Sequence, residues 1–307
     1  MKVLTIVGTR PELIKLSSTL TELDKHTDHI LAHTGQNYDY ELNQIFFEEL
    51  EIRKPNYFLN CGKPTSAESI AAVLTETDKL IKQEKPDACL LYGDTNSCLA
   101  AIIIKQNKIP LFHMEAGNRS FDHRVPEEIN RKIVDHLSDI NMTITEHSRN
   151  YLKREGLSGQ NIIKVGSSMP EVFKKFEKQI DQSNVLAKLD LKPDNYFLVS
   201  CHRSENVDNI DGVKDLLNSL NTLAQNFKLP IIFSVHPRTR NKIDQIELHL
   251  DPLVRFSKPF GFFDYNHLQK NARCVLSDSG TITEESNILN FKAITMHPIH
   301  ELSLIHI

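Results

Sequence analysis

The feature that most constrains the fold of this chain is a repeated unit, in which a short apolar segment ends in a polar turn and leads into an amphipathic segment. In the first half of the sequence the apolar segments cover residues 3–7, 30–33, 88–92, 111–114, 141–144 and 162–165. The amphipathic segments cover residues 12–23, 66–82, 98–106 and 127–136. Strands of a parallel sheet are buried on both faces and joined by helices, so this alternation predicts a mainly parallel sheet with helices on both sides.

The same pattern starts again after residues 166–170, which read GSSMP. The apolar segments of this second series cover residues 196–201, 230–235, 253–256, 274–276 and 293–296, and its helical segments cover 172–178, 212–224, 266–271 and 282–289. A chain of 307 residues is long enough for two α/β domains. We therefore predict an α/β protein with two Rossmann-like, doubly wound domains that face a central cleft, the first spanning residues 1–168 and the second residues 169–301.

Composition argues against several classes of protein. The formal net charge of −4 leaves no broad basic surface for a nucleic-acid backbone. No apolar run approaches the roughly 20 residues that cross a bilayer, so no membrane span is predicted. The five cysteines are scattered and never form a C-x-x-C pair, which is typical of reduced, buried thiols rather than of a zinc site. We predict a cytoplasmic protein that holds any phosphorylated ligand with a few local cations.

Two glycine turns in the first half carry most of the functional information. Residues 8–12 read GTRPE, with Lys15 on the emerging helix, and residues 91–97 read LYGDTNS. Turns between a strand and a helix present backbone N–H groups to anionic ligands. The first turn adds a cation, Arg10, and the second a carboxylate, Asp94, so together they could bind a phosphorylated substrate and move a proton. Two plainer interpretations stay open: the charges of the first turn are only solvated, and Asp94 is a helix N-cap.

Two further carboxylates follow neighbouring strands of the same predicted sheet. Glu115 lies within residues 113–119, HMEAGNR, and Glu127 opens a helix just inside Pro126. Acidic residues in a first helical turn also interact favourably with the helix dipole, which is a structural explanation for Glu127. Three carboxylates at neighbouring strand ends are harder to explain in that way, because open α/β sheets bind their ligands at this edge.

The second half offers candidates for binding a diphosphate and a nucleoside. His202 and Arg203 follow its first predicted strand, and His236, for which a structural role is equally compatible, follows its second. Residues 277–281, SDSGT, lead into a helix whose first turn contains Glu285. Small residues there expose N–H groups to a phosphate, and a carboxylate one turn later can accept both hydroxyls of a ribose. The alternative is an ordinary serine N-cap followed by early acidic residues.

Six motifs together give the chain a specific resemblance. They are residues 8–12 (GTRPE), 93–95 (GDT), 115–117 (EAG), 126–128 (PEE), 202–206 (HRSEN) and 278–285 (DSGTITEE). In this order they resemble the non-hydrolysing UDP-N-acetylglucosamine 2-epimerase family, which interconverts UDP-GlcNAc and UDP-ManNAc. Residues 36–43 (QNYDYELN), 118–124 (NRSFDHR) and 262–268 (FFDYNHL) are most similar to one branch, the UDP-N-acetyl-L-fucosamine synthases of capsule and O-antigen assembly. That branch inverts C2 of UDP-2-acetamido-2,6-dideoxy-L-talose.

The resemblance implies a GT-B fold and a set of site residues. The implied catalytic groups are Asp94, Glu115, Glu127 and His202, and the implied substrate-binding groups are Arg10, Lys15, Arg203, Tyr265, Ser279, Gly280, Thr281 and Glu285. In this assignment the cations of the first domain and His202 face the sugar diphosphate, the segment 279–281 holds phosphate, Glu285 holds the ribose, and Tyr265 lies beside the uracil.

The resemblance also implies a mechanism. UDP leaves C1 while a carboxylate removes the C2 proton, and UDP adds again to the resulting 2-acetamidoglycal after protonation of the opposite face. No redox cofactor and no metal is expected, and a homodimer is implied. Two other classes stay open, a GT-B glycosyltransferase that transfers the sugar to an acceptor and a nucleotide-sugar binder without activity.

The C-terminal end departs from the family pattern. The family usually carries the sequence HERPE where this chain has His300, Glu301 and Leu302, so an arginine expected near the diphosphate is missing. Residues 302–307, LSLIHI, look non-native. We therefore expect the natural sequence to continue beyond residue 301.

Overall fold

The computed structural model describes residues 1–35, 44–122, 124–201, 210–235, 240, 243, 246 and 249–296. Outside the described residues lie His202, Arg203 and His236, the motif at 36–43 and the terminal residues 297–307. The chain divides into two compact units, one reaching from Met1 to Lys174 and one beginning at Lys175. This division falls inside the helix Met169–Asp181, which begins directly after the predicted domain boundary.

The first unit is built on a seven-stranded sheet in which each adjacent pair is parallel. Its strands are β1 (Lys2–Val7), β2 (Asp28–His33), β3 (Tyr57–Phe58), β4 (Ala88–Tyr92), β5 (Leu111–Ala116), β6 (Ile140–Thr143) and β7 (Ile162–Lys164), in the spatial order β3-β2-β1-β4-β5-β6-β7. The connecting helices are Arg10–His26, Ser66–Glu84, Ala101–Gln106, Pro126–Leu137 and Glu146–Arg154, with 3-10 turns at Asn96–Ala100 and Gly159–Asn161 and a helical stretch over 44–49.

The strand order of this sheet reverses between β1 and β4, which pair directly. The two glycine turns follow these two strands, so they lie at the reversal, where open α/β sheets bind ligands. The turns are pressed together so closely that a Cβ on Gly8 would lie 1.9 Å from Ser97 Oγ and 2.6 Å from Thr34 Oγ1. A side chain at this position would force Ser97 and Thr34 to move, which explains the place of glycine in the first motif.

The second unit contains a five-stranded parallel sheet. Its strands are β8 (Phe197–Ser200), β9 (Ile231–Ser234), β10 (Val254–Ser257), β11 (Cys274–Ser277) and β12 (Ala293–Thr295), in the order β10-β9-β8-β11-β12. Its helices are Val185–Lys188, Ile210–Phe227, Phe262–Asn271 and Ile282–Leu289, together with the second half of Met169–Asp181. The order reverses between β8 and β11, so Cys201 and the segment 277–281 follow the two strands at the reversal.

The prediction of two doubly wound α/β sheets is confirmed. Apolar side chains from both faces of each sheet are buried against helices, as parallel strands require. Several elements are absent from the predicted list: β3, the helical stretch over 44–49, the helices Glu146–Arg154 and Val185–Lys188, and the 3-10 turn Gly159–Asn161. The two-residue β3 is too short to show a period, and Glu146–Arg154 buries only Ser148 and Leu152. Within the described part of the chain, no helix combines the length and apolar character needed to cross a membrane.

Candidate active site

Glu115 lies at a bulge near the end of β5. The register with β6 shifts between Met114 and Ala116, and Glu115 has a φ of 65°, in the left-handed region. For a residue other than glycine this conformation costs roughly 1–3 kcal/mol. The carboxylate forms an ion pair with Lys15 Nζ and accepts a hydrogen bond from the Tyr92 hydroxyl at 2.9 Å. The strained backbone therefore orients the Glu115 carboxylate, and Lys15 and Tyr92 hold it in place.

Asp94 follows β4 and is anchored from the helix Pro126–Leu137. Arg131 of that helix contacts Asp94 Oδ2 through Nε at 2.8 Å and through Nη2 at 2.6 Å. Asn130 Nδ2 donates to the Asp94 carbonyl at 2.9 Å. The Asp94 side chain is 21% exposed, while that of Arg131 is only 4% exposed. A buried guanidinium therefore fixes a carboxylate that is itself accessible to a ligand.

The N-cap interpretation of Asp94 is wrong. The 3-10 turn Asn96–Ala100 is capped by Thr95, whose Oγ1 accepts a hydrogen bond from the Ser97 N–H at 3.3 Å. The Asp94 side chain is directed instead to Arg131.

Glu127 and Glu128 are adjacent in sequence but differ in their surroundings. Glu128 is fully buried and accepts hydrogen bonds from the Ser120 N–H at 2.9 Å and from Arg131 Nη1 at 3.2 Å. Glu128 is thus a structural residue that fixes the preceding loop. Glu127 is half-buried in the first turn and lies four residues before Arg131, so the two share one helix face.

The three predicted carboxylates are connected through the turn that follows β4. A Cβ on Gly93 would lie 3.7 Å from Glu115 Oε1, which puts this carboxylate beside the backbone that leads into Asp94. Glu127 lies one helical turn from the arginine that holds Asp94. The adjacent strands β4 and β5 of the first sheet therefore place these acids in two neighbouring strand–helix connections, Asp94 in the first and Glu115 and Glu127 in the second.

The predicted cations of the first unit are placed differently from each other. Lys15 is buried, is paired with Glu115, and lies 5.5 Å from the centroid of the Tyr92 ring. Arg10 is exposed at the start of its helix, with its guanidinium carbon 4.7 Å from the centroid of the Phe46 ring. The interpretation that these charges are only solvated is wrong for Lys15.

A buried charged network lies beneath this edge and was not predicted. His113 Nδ1 is 2.8 Å from Asp135 Oδ1, and His113 Nε2 is 2.8 Å from the Gly93 carbonyl oxygen. Both partners can only accept, so both ring nitrogens donate and the ring is an imidazolium. Burial opposes this charge, but the hydrogen bond and the charge of Asp135 outweigh burial and raise the pKa of His113.

Arg119 completes the network with a second carboxylate. Its Nη1 donates to Asp135 Oδ2 at 2.7 Å, and its Nε and Nη2 donate to the two oxygens of Glu155 at 2.8 and 2.7 Å. Burial would raise the pKa of Asp135, but His113 and Arg119 lower it. The network fixes the loop after β5, because the Gly117 N–H also donates to Asp135 at 3.1 Å.

The network gives two residues of the motif 118–124 a structural role. Arg119 belongs to residues 118–124, which carried part of the resemblance to the fucosamine branch, and it is fully buried between two acids. Asn118 is also buried and accepts from Ser148 Oγ at 3.1 Å. Both side chains are therefore used to hold the loop in place rather than to contact a sugar.

Glu12 is a further acid of the site that the sequence left without a role. It is buried, and desolvation raises its pKa to about 7, although hydrogen bonds from Thr95, Gly8 and Thr9 oppose this shift. As pH rises, the unfolded chain therefore releases the Glu12 proton at a lower pH than the folded chain does. We expect the free energy of unfolding of the wild type, relative to Glu12→Gln, to fall by about 3 kcal/mol between pH 4.5 and about 7.

Urea denaturation of the wild type and of Glu12→Gln across this pH range measures the difference. Glu22→Gln is the control, because Glu22 lies on the same helix but is exposed and paired with Lys25. A wild-type stability that keeps a constant offset from Glu12→Gln across the range would contradict the raised pKa.

In the second unit, the segment after β11 leads into the helix Ile282–Leu289. The Thr281 hydroxyl donates to Glu285 Oε1 at 2.6 Å, and Gln269 Nε2 donates to Glu285 Oε2 at 2.8 Å. The helix has no side-chain cap, since Thr281 is the N-cap residue and its hydroxyl is directed to Glu285. The alternative of an ordinary serine N-cap is therefore wrong.

The remaining predicted residues of this unit are close to that helix start. Ser279 Oγ is 3.0 Å from Thr281 Oγ1, with Gly280 between them. Tyr265 is half-buried on the helix Phe262–Asn271, four residues before Gln269, which binds Glu285. Thr281, Gln269 and Glu285 are thus linked by hydrogen bonds, and Tyr265 lies one helical turn before Gln269 on the same helix. His202 and Arg203 fall outside the described residues.

Comparison with known proteins adds independent findings. Residues 21–301 match the family model described as UDP-N-acetylglucosamine 2-epimerase. The structure of UDP-N-acetylglucosamine 2-epimerase from Rickettsia bellii is 54% identical, with a TM-score of 0.90 over 98% of this chain and 80% of that one. The Methanocaldococcus jannaschii UDP-GlcNAc 2-epimerase, solved in complex with UDP-GlcNAc and UDP, is 37% identical, with a TM-score of 0.89 over 98% of this chain and 85% of that one.

A curated relative carries a different substrate name. The UDP-2,3-diacetamido-2,3-dideoxy-D-glucuronate 2-epimerase of Pseudomonas aeruginosa is 35% identical over 301 residues, which cover 96% of this chain and 83% of the relative.

Two doubly wound parallel sheets, shared with these structures, define a GT-B protein with acids at the reversal of its first sheet. The chain belongs to the UDP-N-acetylglucosamine 2-epimerase family. It is an isomerase that acts on carbohydrates, and the predicted fold class, family and enzyme class are confirmed.

Proposed function

We propose that this chain inverts C2 of a UDP-2-acetamido sugar by eliminating UDP and adding it again. The observation that carries the proposal is the Glu115 carboxylate, held by Lys15 and Tyr92 beside the turn that presents Asp94. The C2 proton of such a sugar has no neighbouring ring carbonyl, so simple enolisation cannot remove it. A base near C2 and a stabilised leaving group at C1 are needed instead.

The proposed reaction balances in two steps. A carboxylate takes the C2 proton, the C2–H electrons form the C1=C2 double bond, and the C1–O electrons leave with UDP. An acid then delivers a proton to the opposite face of C2, and a UDP oxygen forms the new bond to C1. Asp94, Glu115 and Glu127 are the candidate acids and bases, and each such group contributes typically 10²–10⁴-fold to the rate.

The leaving group requires cations and hydrogen-bond donors. We assign Arg10, Lys15, His202 and Arg203 to the diphosphate, since negative charge develops there as C1–O breaks. In the second unit we assign the segment 279–281 to phosphate, Glu285 to the ribose and Tyr265 to the uracil. The hydrogen bonds of Thr281 and Gln269 to Glu285 support this assignment, because they orient the carboxylate at the start of a helix.

For the sugar we propose UDP-2-acetamido-2,6-dideoxy-L-talose, which the reaction converts to UDP-N-acetyl-L-fucosamine. The support is the similarity of residues 36–43, 118–124 and 262–268 to the synthases of that sugar. UDP-GlcNAc, named for the Methanocaldococcus jannaschii protein, is the second candidate. The resemblance also supports a homodimer.

Incubation with a UDP sugar in D₂O tests the reaction. We expect the epimer to form without any acceptor and to carry deuterium at C2, because the proton removed exchanges with solvent before the opposite face is protonated. Proton NMR of parallel incubations with the 6-deoxy-L-talo sugar, UDP-GlcNAc and the diacetamido-glucuronate also identifies the substrate. An epimer without label at C2 would rule out the proton-transfer route, and product that appears only with an acceptor would favour a glycosyltransferase.

A further inference from the structure

Glu12 connects the two functional turns of the first unit. Its Oε2 accepts a hydrogen bond from the Gly8 N–H at 2.7 Å, and its Oε1 accepts from the Thr9 hydroxyl at 3.1 Å and the Thr95 hydroxyl at 2.6 Å. The residue is only 3% exposed. A helix cap would explain the bonds to Gly8 and Thr9. It does not explain the bond to Thr95, which belongs to the other turn.

The residues that Glu12 binds are the neighbours of two site residues. Thr9 directly precedes Arg10, and Thr95 directly follows Asp94. One carboxylate therefore fixes the backbone beside a cation and beside an acid of the proposed reaction. The same two turns also approach each other at Gly8, where a Cβ would overlap Ser97 Oγ.

Electrostatic interactions also connect Glu12 with Asp94. The charge of Asp94 acts on Glu12, and the charges of Glu12, Asp94, Asp135 and Arg131 all act on the buried Cys98 thiol. Arg131 in turn binds Asp94. The ionisation of Glu12 is thus coupled by charge to Asp94 and, through the Thr95 hydroxyl, to the turn that carries it.

We propose that Glu12 is a positioning residue for Asp94. Glu12 holds the Asp94 turn against the Arg10 turn, and the reaction therefore depends on the ionisation of Glu12. This inference rests on the proposed epimerase function. A residue that acted only on stability would change the unfolding transition without changing the kinetics of the folded enzyme.

Glu12→Gln tests the proposal, because it keeps the size of the side chain and removes its charge. We expect kcat/KM to fall by about tenfold or more, since small misplacements of a reacting group are costly. The Kd for UDP should change by less than about twofold, since most of the groups assigned to UDP lie in the second unit. We expect the pH profile of kcat/KM to contain an ionisation near pH 7 in the wild type and to lose it in Glu12→Gln. Glu22→Gln, on the exposed face of the same helix, should match the wild type in all three measurements.

A second pair of variants tests the proposal even if Glu12→Gln does not fold. Thr95→Ser retains the hydroxyl that donates to Glu12 and should keep most of the activity, whereas Thr95→Ala loses it and should reduce kcat/KM in the same direction as Glu12→Gln. An active wild type together with unchanged kinetics and pH profile in Glu12→Gln, or equal activity of the two Thr95 variants, would overturn the inference alone. A wild type inactive on every UDP sugar would overturn the proposed function and this inference with it.

Discussion

Replacing Asp94 with Asn, or Glu127 with Gln, is expected to lower the rate of C2 epimerisation by about 100-fold or more, because each change removes a proton donor or acceptor. UDP should still bind, since neither Asp94 nor Glu127 is among the groups assigned to the nucleotide. Asp94→Asn also keeps a group of the same shape beside Arg131, so the turn after β4 should stay folded.

The kinetic measurement is initial-rate epimerisation by NMR, and the binding measurement is titration calorimetry with UDP. Glu146→Gln is a suitable control, because Glu146 is a surface acid of the same unit, half exposed and paired with Arg149. Loss of UDP affinity in both variants would show that the two acids serve the nucleotide. Full activity of either variant would remove that acid from the proposed reaction.

Asp135→Asn is expected to destabilise the first unit by about 3–5 kcal/mol, which is the usual cost of leaving buried charges without their partner. The variant removes the negative charge that His113 and Arg119 share in the interior, and its amide keeps only one acceptor oxygen for these two cations. Because the pKa of folded Asp135 is lowered, its stabilisation is present above the ordinary value of 3.8 and is lost as pH falls through the folded pKa. Because the pKa of folded His113 is raised, its contribution is present below 6.5 and is lost as pH rises through the folded pKa.

The difference between wild type and Asp135→Asn should therefore be largest between those two values. Urea denaturation at several pH values measures it. Asp78→Asn breaks an exposed ion pair with Lys82, one helical turn away, and should change stability by less than about 1 kcal/mol. A loss in Asp135→Asn no larger than that of Asp78→Asn would contradict the buried, charged state of the network.

Local patterns in the sequence were sufficient for the architecture. The period of the apolar segments identified both parallel sheets, because each strand must be buried on two faces and each connection must be a helix. The glycines at strand ends located the turns, and Asp94, Glu115 and Glu127 were chosen as candidates because strand ends of a parallel sheet share one edge. The elements that were not predicted, such as β3 and Glu146–Arg154, have too few buried residues to produce a periodic pattern of apolar residues.

The sequence by itself determined which side chains are available at the reversal of each sheet, and in what order along the chain. Only the tertiary structure decided how they are paired. Lys15 meets Glu115, Glu12 meets Thr95, and His113 meets Asp135 across 22 to 100 positions of sequence. Partners so far apart leave no local pattern, and the ionisation of buried acids depends on desolvation and neighbouring charge. Both arise only when the strands and helices are packed.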